Sequence, residues 1–244
     1  MSIMEQLKHT IITIEGTDGS GKKTQVKKLY EYLKAKKHEV MVVSFPNYES
    51  LSSGPVRMYL GGEFGAAADC LDAYQASVLY ATDRLCSMRR LLASLETETV
   101  ILFDRYAQSN MIHQAGKIGT SNEQAVDELV DWLENFEFSI LKLPRADKVI
   151  FLDVPVEISM KNVQARGEQM EIDGCKDCEA AIADDIHERD KRHAVEAYLA
   201  GKYVAQKQGW EVINCVENGQ LKSIDDIHEL VKKVVKNLLK SSAK

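Results

Sequence analysis

The chain has 244 residues, 45% of them apolar, and its 31 Lys and Arg against 37 Asp and Glu give a formal net charge of −6. This composition supplies enough apolar surface for a core, so it argues against a disordered chain. The length favours one α/β domain that spans residues 1–244. The acidic balance argues against a general binder of nucleic acid or membrane surfaces, because such binding needs a basic face. We therefore expect neither kind of partner.

The cysteines and the opening stretch bear on location. Five cysteines, an odd number, do not suit a framework of paired disulfides. The stretch "MSIMEQLKHT" is too short and too polar for a targeting segment, and no apolar run approaches bilayer length. We expect a protein of the reducing cytoplasm.

Short apolar runs alternate with long helical stretches along the chain. The runs are predicted strands, and they lie at Ile11–Glu15, Val40–Phe45, Thr99–Asp104, Lys148–Asp153 and Glu211–Cys215. Strands that are apolar on both faces are typical of a parallel sheet covered on both sides. The alternation predicts a three-layer, doubly wound α/β fold with a five-stranded parallel sheet, and ligands bind such folds at the carboxyl ends of the strands.

The stretch "EGTDGSGKKT" follows the first predicted strand and opens a helix predicted over Lys22–Lys37. Its glycine and lysine spacing is that of a phosphate-binding loop, in which backbone N–H groups and the helix N-terminus face the phosphates. Lys22 would supply a mobile charge for the β and γ phosphates. The predicted nucleotide-binding residues are Gly16, Thr17, Asp18, Gly19, Ser20, Gly21, Lys22, Lys23 and Thr24.

Two residues of this loop need their own explanation. Lys23 stands where a Ser or Thr is usual, and the hydroxyl comes one residue later, at Thr24. Thr24 either meets the phosphate or a Mg²⁺-bound water, or is a bystander. Asp18 would repel a phosphate unless it faces Mg²⁺ or a ligand hydroxyl, so we interpret it as functional; turn formation is the alternative.

A second long helix is predicted over Leu71–Leu95. We expect it to bury one apolar stripe, made of Leu71, Tyr74, Val78, Ala81, Leu85, Met88, Leu92 and Leu95. Tyr80 and Arg84 are one turn apart and share a face about 100° from this stripe. An aromatic ring beside a guanidinium suits a base and its phosphate, whereas a core-edge ring with a solvated charge is the alternative.

The third predicted strand ends in a charged pair, Asp104 and Arg105. This pair is therefore expected at the carboxyl edge of the sheet, where ligands bind. Arginine can hold a phosphate bidentately, and a structural ion pair is the alternative. The pair opens the motif "DRYAQSN".

Taken in order, several motifs are similar to those of thymidylate kinases. They are Glu-Gly-x-Asp-Gly-x-Gly-Lys after the first strand, "SFPNY" at 44–48, "LYATDR" at 79–84, "DRYAQSN" at 104–110 and "KVIFLDVP" at 148–155. The resemblance runs from Ile11 to about Arg189. It implies a P-loop nucleoside monophosphate kinase that transfers the γ-phosphoryl group of ATP to dTMP, with ATP and Mg²⁺ as cofactors and a homodimer as the assembly.

The resemblance also implies roles for single residues. Tyr80 would stack on thymine, Arg84 would hold the nucleotide phosphate, and Arg105 would grip the acceptor phosphate. The implied catalytic residues are Lys22, Asp18, Arg105 and Arg166. The implied substrate-binding residues are Phe45, Tyr80, Arg84, Asp104, Arg105, Ser109, Asn110, His113 and Gln114. The implied Mg²⁺ ligands are Asp18, Thr24 and Asp104.

A lid is expected at about 166–185. Because Gly19 stands where some family members carry an arginine, lid cations should cover the transferring phosphoryl group. Arg166 resembles the arginine at the start of the family's lid, Arg189 and Arg192 are further candidates, and a solvated helix end is the alternative.

The same segment contains a possible metal or redox site. Cys175 and Cys178 are two residues apart and are followed by His187 and His193, which leaves a structural metal, a redox pair or free thiols open. We expect free thiols and no zinc.

Two departures from the family pattern concern the acceptor. Asn47 and Tyr48 follow the Phe-Pro pair where many members have an arginine, and Arg57 comes several residues later. His113 replaces a Tyr or Phe near the sugar, so sugar selectivity is open. Two rival functions remain: a kinase for a related monophosphate or a nucleoside, and a nucleotide-binding regulator that lost catalysis through Lys23.

Overall fold

The structure, a computed structural model, describes residues 9–65, 70–173 and 191–242, with the backbone alone at 166–173 and 241–242. Five parallel strands form its central sheet in the order β2-β3-β1-β4-β5. The strands are β1 Thr10–Glu15, β2 Val40–Ser44, β3 Val100–Asp104, β4 Lys148–Asp153 and β5 Glu211–Asn214. Each predicted strand is confirmed to within one residue at either end. The three central strands are largely buried, and their apolar residues are continuous in sequence, whereas the edge strands β2 and β5 are partly exposed.

Helices connect the strands and cover both faces of the sheet. They are α1 Lys22–Ala35, α2 Gly54–Leu60, α3 Ala73–Ser94, α4 Ala107–Ile118, α5 Glu123–Leu133, α6 Val156–Asp173, α7 Lys191–Lys207 and α8 Ile224–Ser242. A 3₁₀ turn at Leu51–Ser53, a π-helical segment at Glu134–Ile140 and a small hairpin of β6 Val216–Glu217 and β7 Gln220–Leu221 complete the described elements. None of the described helices is long and apolar enough to cross a bilayer.

Neighbouring side chains of one strand enter different cores. Ile11 of β1 belongs to a core with side chains of α4 and α5, whereas Ile12 belongs to a core with side chains of α1 and α8. This alternation is the period of a strand, and it produces the predicted three-layer, doubly wound arrangement. Ile14 of β1 lies opposite Asp104 of β3, so both strands end at the same edge of the sheet.

Helix α3 buries only part of the apolar stripe that its sequence predicts: Ala81 and Met88 of the stripe are buried. Tyr74 and Val78 are each 39% exposed, so that part of the prediction is wrong. The buried face also carries small and polar side chains, among them Ser77 and Arg84. Apolar periodicity alone did not predict the whole buried face, because the side of the helix that points into the molecule also carries polar groups that bind one another.

Helix α4 lies close to α7, the helix that follows the lid region. A Cβ atom on Gly116 of α4 would come within 2.8 Å of the Ala197 backbone, so only glycine allows this approach. A Cβ atom on Gly201 of α7 would come within 2.9 Å of the Phe151 ring. Two glycines thus set the position of α7 against α4 and the sheet.

Candidate active site

The loop between β1 and α1 curls through three glycines with positive φ. The angles are +149° at Gly16, +79° at Gly19 and +88° at Gly21, a region that residues with a side chain rarely adopt. A Cβ atom on Gly19 would collide with the backbone carbonyl oxygen of Ser159 in α6. An arginine therefore cannot stand at this position in this arrangement of α6.

Lys22 is the first residue of α1, and its side chain folds back over the loop. Its ammonium group donates to the carbonyl oxygens of Gly16 and Thr17, both at 2.8 Å. Burial, together with the Arg105 guanidinium, lowers the pKa of Lys22 to about 8. The hydroxyl oxygens of Thr17 and Ser20 are buried and have no hydrogen-bond partner among the residues that the structure describes. This suits a loop that binds an acceptor-rich group such as a phosphate.

The two residues after Lys22 are exposed on the first turn of α1. Lys23 and Thr24 can therefore reach a ligand at the helix N-terminus. Among the described residues, the Thr24 hydroxyl has no hydrogen-bond partner. This leaves open both roles that the sequence allowed for Thr24.

Arg105 lies directly after β3, at the edge of the sheet where the glycine loop also lies. Its backbone has a φ of +68°, unusual for a residue with a side chain. Its Nη2 atom pairs with the Asp18 carboxylate, and its Nη1 atom lies 2.9 Å from Nε2 of His113. Arg105 and the predicted loop residue Asp18 are thus in direct contact, and the guanidinium is held from two sides.

Glu15, the last residue of β1, fixes the backbone around Arg105, and the sequence interpretation missed this role. Its buried carboxylate accepts hydrogen bonds from the Tyr106 amide at 2.7 Å and from the Ser109 hydroxyl at 2.6 Å. Burial raises the pKa of Glu15, although both hydrogen bonds oppose the shift. The sequence did contain a sign of this role, because an acidic residue at the end of a mostly apolar strand is unusual and needs a partner.

His113 lies on α4 between Arg105 and α7. Burial, and then the charge of Arg105, lower the pKa of His113 well below its usual value. A neutral imidazole can accept the Arg105 hydrogen bond through Nε2, which assigns its proton to Nδ1. The ring stacks on that of His193 of α7, with 5.9 Å between the centroids. Contacts therefore connect Arg105 to the helix that follows the lid region.

Arg84, predicted to hold a phosphate, is 2% exposed and paired with Glu137, which is fully buried. The Arg84 Nε and Nη2 atoms donate to the two oxygens of this carboxylate. Asn110 of α4 donates to the same carboxylate at 2.9 Å. These contacts join Arg84 to the predicted substrate-binding residue Asn110, and they give no support to the phosphate role.

Other predicted substrate residues have different surroundings. Phe45 is 3% exposed and packs against the rings of Phe103 and Tyr106. Tyr80 is half-buried and meets the Tyr59 ring edge-on, with 6.4 Å between the centroids. Gln114 is buried, and within the described ranges its Oε1 atom has no hydrogen-bond partner. Their roles toward a substrate stay predictions.

The Phe-Pro segment lacks the usual arginine but has a cation beside it. The Arg57 Nη1 atom of α2 donates to the Tyr48 carbonyl oxygen at 3.1 Å. The Asn47 amide donates to the Asp83 carboxylate of α3 at 2.7 Å. Arg57 thus lies next to the position at which many family members have their arginine.

Most of the predicted lid and its cysteines lie outside the described residues. This applies to Cys175, Cys178, His187 and Arg189, and to the side chain of Arg166. Within the described ranges, no group of three or more His, Cys, Asp or Glu side chains could hold a metal ion. Of the predicted Mg²⁺ ligands, Asp104 is the last residue of β3, and Asp18 lies in the loop after β1. The two strands end at the same edge of the sheet.

Fold and site together define a class of protein. A five-stranded parallel sheet, a glycine-rich loop after its central strand, and an arginine after β3 are the features of a P-loop nucleoside monophosphate kinase.

Comparison with known proteins identifies the family within this class. The family model of thymidylate kinase matches residues 14–196, and the chain belongs to this family. A thymidylate kinase of Mycobacterium tuberculosis (strain CDC 1551 / Oshkosh) is 30% identical over 206 residues, which cover 82% of this chain and 87% of the relative. A probable thymidylate kinase of Thermococcus onnurineus (strain NA1) is 30% identical over 233 residues, covering 94% and 98%. The fold is also similar to a solved thymidylate kinase of Candida albicans, with a TM-score of 0.68, 18% identity and coverage of 97% and 94%.

Proposed function

We propose that this protein transfers the γ-phosphoryl group of ATP to dTMP, giving dTDP and ADP. The observation that carries the proposal is the direct pairing of Arg105 with Asp18. This pair joins the loop that would bind ATP to the arginine that would bind the acceptor. Family membership supports dTMP as that acceptor.

The proposed mechanism needs cations more than it needs a base. The acceptor oxygen of a nucleoside monophosphate is already anionic, so the enzyme has to align two phosphates and neutralise their charge. Lys22 would leave the carbonyl oxygens of Gly16 and Thr17 and donate to the β and γ phosphates. Arg105 has N–H groups beyond those that face Asp18 and His113, and these would hold the dTMP phosphate.

The oxygen donors at this edge of the sheet fit Mg²⁺. We propose that Asp18, Asp104 and the hydroxyl of Thr24 hold the ion, directly or through water, because Mg²⁺ prefers oxygen ligands and keeps several waters. When bound, Mg²⁺ would neutralise charge on the β and γ phosphates. Asp18 would then divide its carboxylate between the ion and Arg105.

We further propose a single kinase domain with a lid at about 166–185, in which Arg166 reaches the transferring phosphoryl group. Homodimer formation through α3 is supported by the exposure of Tyr74 and Val78, which lie on one face of this helix. A cytoplasmic location is supported by the three described cysteines, Cys70, Cys86 and Cys215, all of which are free thiols.

An acceptor panel tests the proposed function. Release of ADP from Mg-ATP is measured with dTMP, dUMP, dCMP, dGMP and UMP as acceptors. We expect dTMP to be the best of them, and a panel led by dGMP would contradict the proposal.

Variants of the cations test the mechanism. Lys22→Ala and Arg105→Ala should each lower the rate at least ~100-fold, because each removes a charge aimed at a reacting phosphate. Lys27→Ala, which removes an exposed lysine of the same helix α1, is the matched control and should keep the wild-type rate. Equal rates for Lys22→Ala and Lys27→Ala would contradict the role of Lys22.

A further inference from the structure

Asp83 of α3 is a buried carboxylate whose partners are neutral. It is 1% exposed, and among the described residues it belongs to no ion pair. Its Oδ2 atom accepts from the backbone N–H of Asn47 at 2.7 Å, and its Oδ1 atom accepts from the Ser52 hydroxyl at 2.6 Å. A buried charge without a cation is costly, so the two hydrogen bonds need an explanation beyond packing.

Both donors belong to one segment, residues 45–53, which leads from β2 to α2. The Asn47 side chain also donates to the Ser87 hydroxyl of α3 at 3.2 Å. Within the segment, the Ser50 hydroxyl accepts from the Ser52 N–H at 3.3 Å and lies 2.8 Å from the Ser52 hydroxyl. Helix α3 therefore holds the segment at two points, and Asp83 binds at both of them.

The start of this segment lies beside Arg105, the proposed acceptor-binding cation. The N–H of Phe45 donates at 3.1 Å to the carbonyl oxygen of Asp104, the residue before Arg105. Burial lowers the pKa of Arg105, but interactions with nearby groups, the Tyr48 phenol among them, raise it overall. A phenol with such an effect has to lie near the guanidinium. Residues 45–48 therefore border the space in which the acceptor phosphate would lie.

We propose that Asp83 is a positioning residue, which holds Asn47 and Ser52 and thereby keeps residues 45–48 in place for the acceptor nucleotide. The inference rests on the proposed function, because it takes Arg105 to bind the acceptor phosphate. Without Asp83, the segment would lose its conformational freedom only when the acceptor binds, which lowers affinity. None of the described contacts of the Asp83 side chain reaches the glycine loop, so ATP binding is spared.

The variants Asp83→Ala and Asp83→Asn test the proposal through the KM values of the two substrates. Alanine removes both acceptor oxygens, so KM for dTMP should rise at least ~10-fold while KM for ATP changes less than ~2-fold. Asparagine keeps an oxygen for the Asn47 N–H, and its NH₂ group can donate to the Ser52 hydroxyl, which both donates and accepts. Asp83→Asn should therefore keep KM for dTMP within ~3-fold of the wild-type value.

Asp72→Ala is the matched control for a loss of stability alone. Asp72 caps the same helix, and its carboxylate accepts from the Gln75 N–H at 2.8 Å. Among the described residues, it makes no hydrogen bond to residues 45–53. Its removal should lower the midpoint of urea unfolding and leave both KM values unchanged.

An unchanged ratio of the two KM values in folded Asp83→Ala would overturn the proposal, because a purely structural role weakens both substrates alike. Asp83→Asn with the KM values of Asp83→Ala would overturn it as well, since the charge and not the hydrogen bonds would then matter. If Asp83→Ala does not fold, Ser52→Ala decides the question, because it removes one of the two donors. Its KM for dTMP should rise at least ~3-fold, and an unchanged ratio would overturn the proposal. A wild type that phosphorylates no pyrimidine nucleotide would instead contradict the proposed function itself.

Discussion

At the residue scale, the site depends on how neighbours hold a few cations. Arg105 has a positive φ and contacts Asp18 and His113. Glu15 fixes the next backbone amide. The guanidinium therefore has little freedom before a substrate binds, which reduces the entropy lost on binding. The motif "DRYAQSN" predicted the arginine, but it did not predict the two side chains that orient it.

Lys22 should couple ATP binding to proton uptake. In the free protein its pKa is lowered to about 8, and a bound triphosphate favours the charged ammonium, so the pKa rises on binding. The complex then holds more protons than the free protein above pH 8, and ATP affinity falls as the pH rises. Calorimetry at about pH 8.5 in two buffers of different ionisation enthalpy should show uptake of up to about one proton.

The control for this measurement is Lys22→Met, which has no titrating amine and should show no uptake from this site. Identical heats for the wild type in both buffers would contradict the prediction. They would mean that the Lys22 ammonium is already fully charged in the free protein.

His113 should affect the choice between deoxyribose and ribose. Its Nε2 atom is engaged by Arg105, so Nδ1–H is the ring donor left for a 2′-hydroxyl. A tyrosine at this position is larger and would exclude the hydroxyl. His113→Tyr should therefore raise the ratio of kcat/KM for dUMP over UMP, by about 1–3 kcal/mol in relative transition-state binding. Because the base is constant, an unchanged ratio would refute this role whatever happens to the absolute rates.

At the element scale, the contact of α4 with α7 depends on Gly116. A methyl group there would lie 2.8 Å from the Ala197 backbone. Gly116→Ala should therefore lower the free energy of unfolding by about 1–3 kcal/mol, as overpacking does. Gly54→Ala is the matched control, because its added methyl group would meet nothing within 4 Å and its φ is −49°. Urea unfolding of both variants measures the difference, and equal midpoints would contradict the prediction.

Strands and helices were predictable from the sequence where the residues on their buried faces are all apolar. The central strands matched because both of their faces are apolar and buried, as at Ile11 and Ile12 of β1. The buried face of α3 was not predictable, because Arg84 is buried only through its pairing with Glu137, 53 residues away in sequence. That partner lies on a π-helical turn, and no periodicity in the sequence indicates such a turn.

At the scale of the whole molecule, the sheet brings the proposed ATP-binding and acceptor-binding residues to one edge. The glycine loop follows β1, Arg105 follows β3, and these strands are neighbours with their ends in register. Phosphoryl transfer needs this kind of alignment, because positioning and charge neutralisation supply most of the catalysis. The order of the motifs along the chain predicted this convergence, since strands of such folds bind ligands at their carboxyl ends.

Product formation in a single turnover tests the central claim most directly. Enzyme in excess over radiolabelled ATP is mixed with Mg²⁺ and dTMP, and the label is followed by chromatography. The account predicts that the γ-phosphoryl group appears in dTDP, and that Arg105→Ala slows this step at least ~100-fold. ATP that stays bound and intact, with no labelled dTDP, would contradict the account and indicate a nucleotide-binding protein without transferase activity.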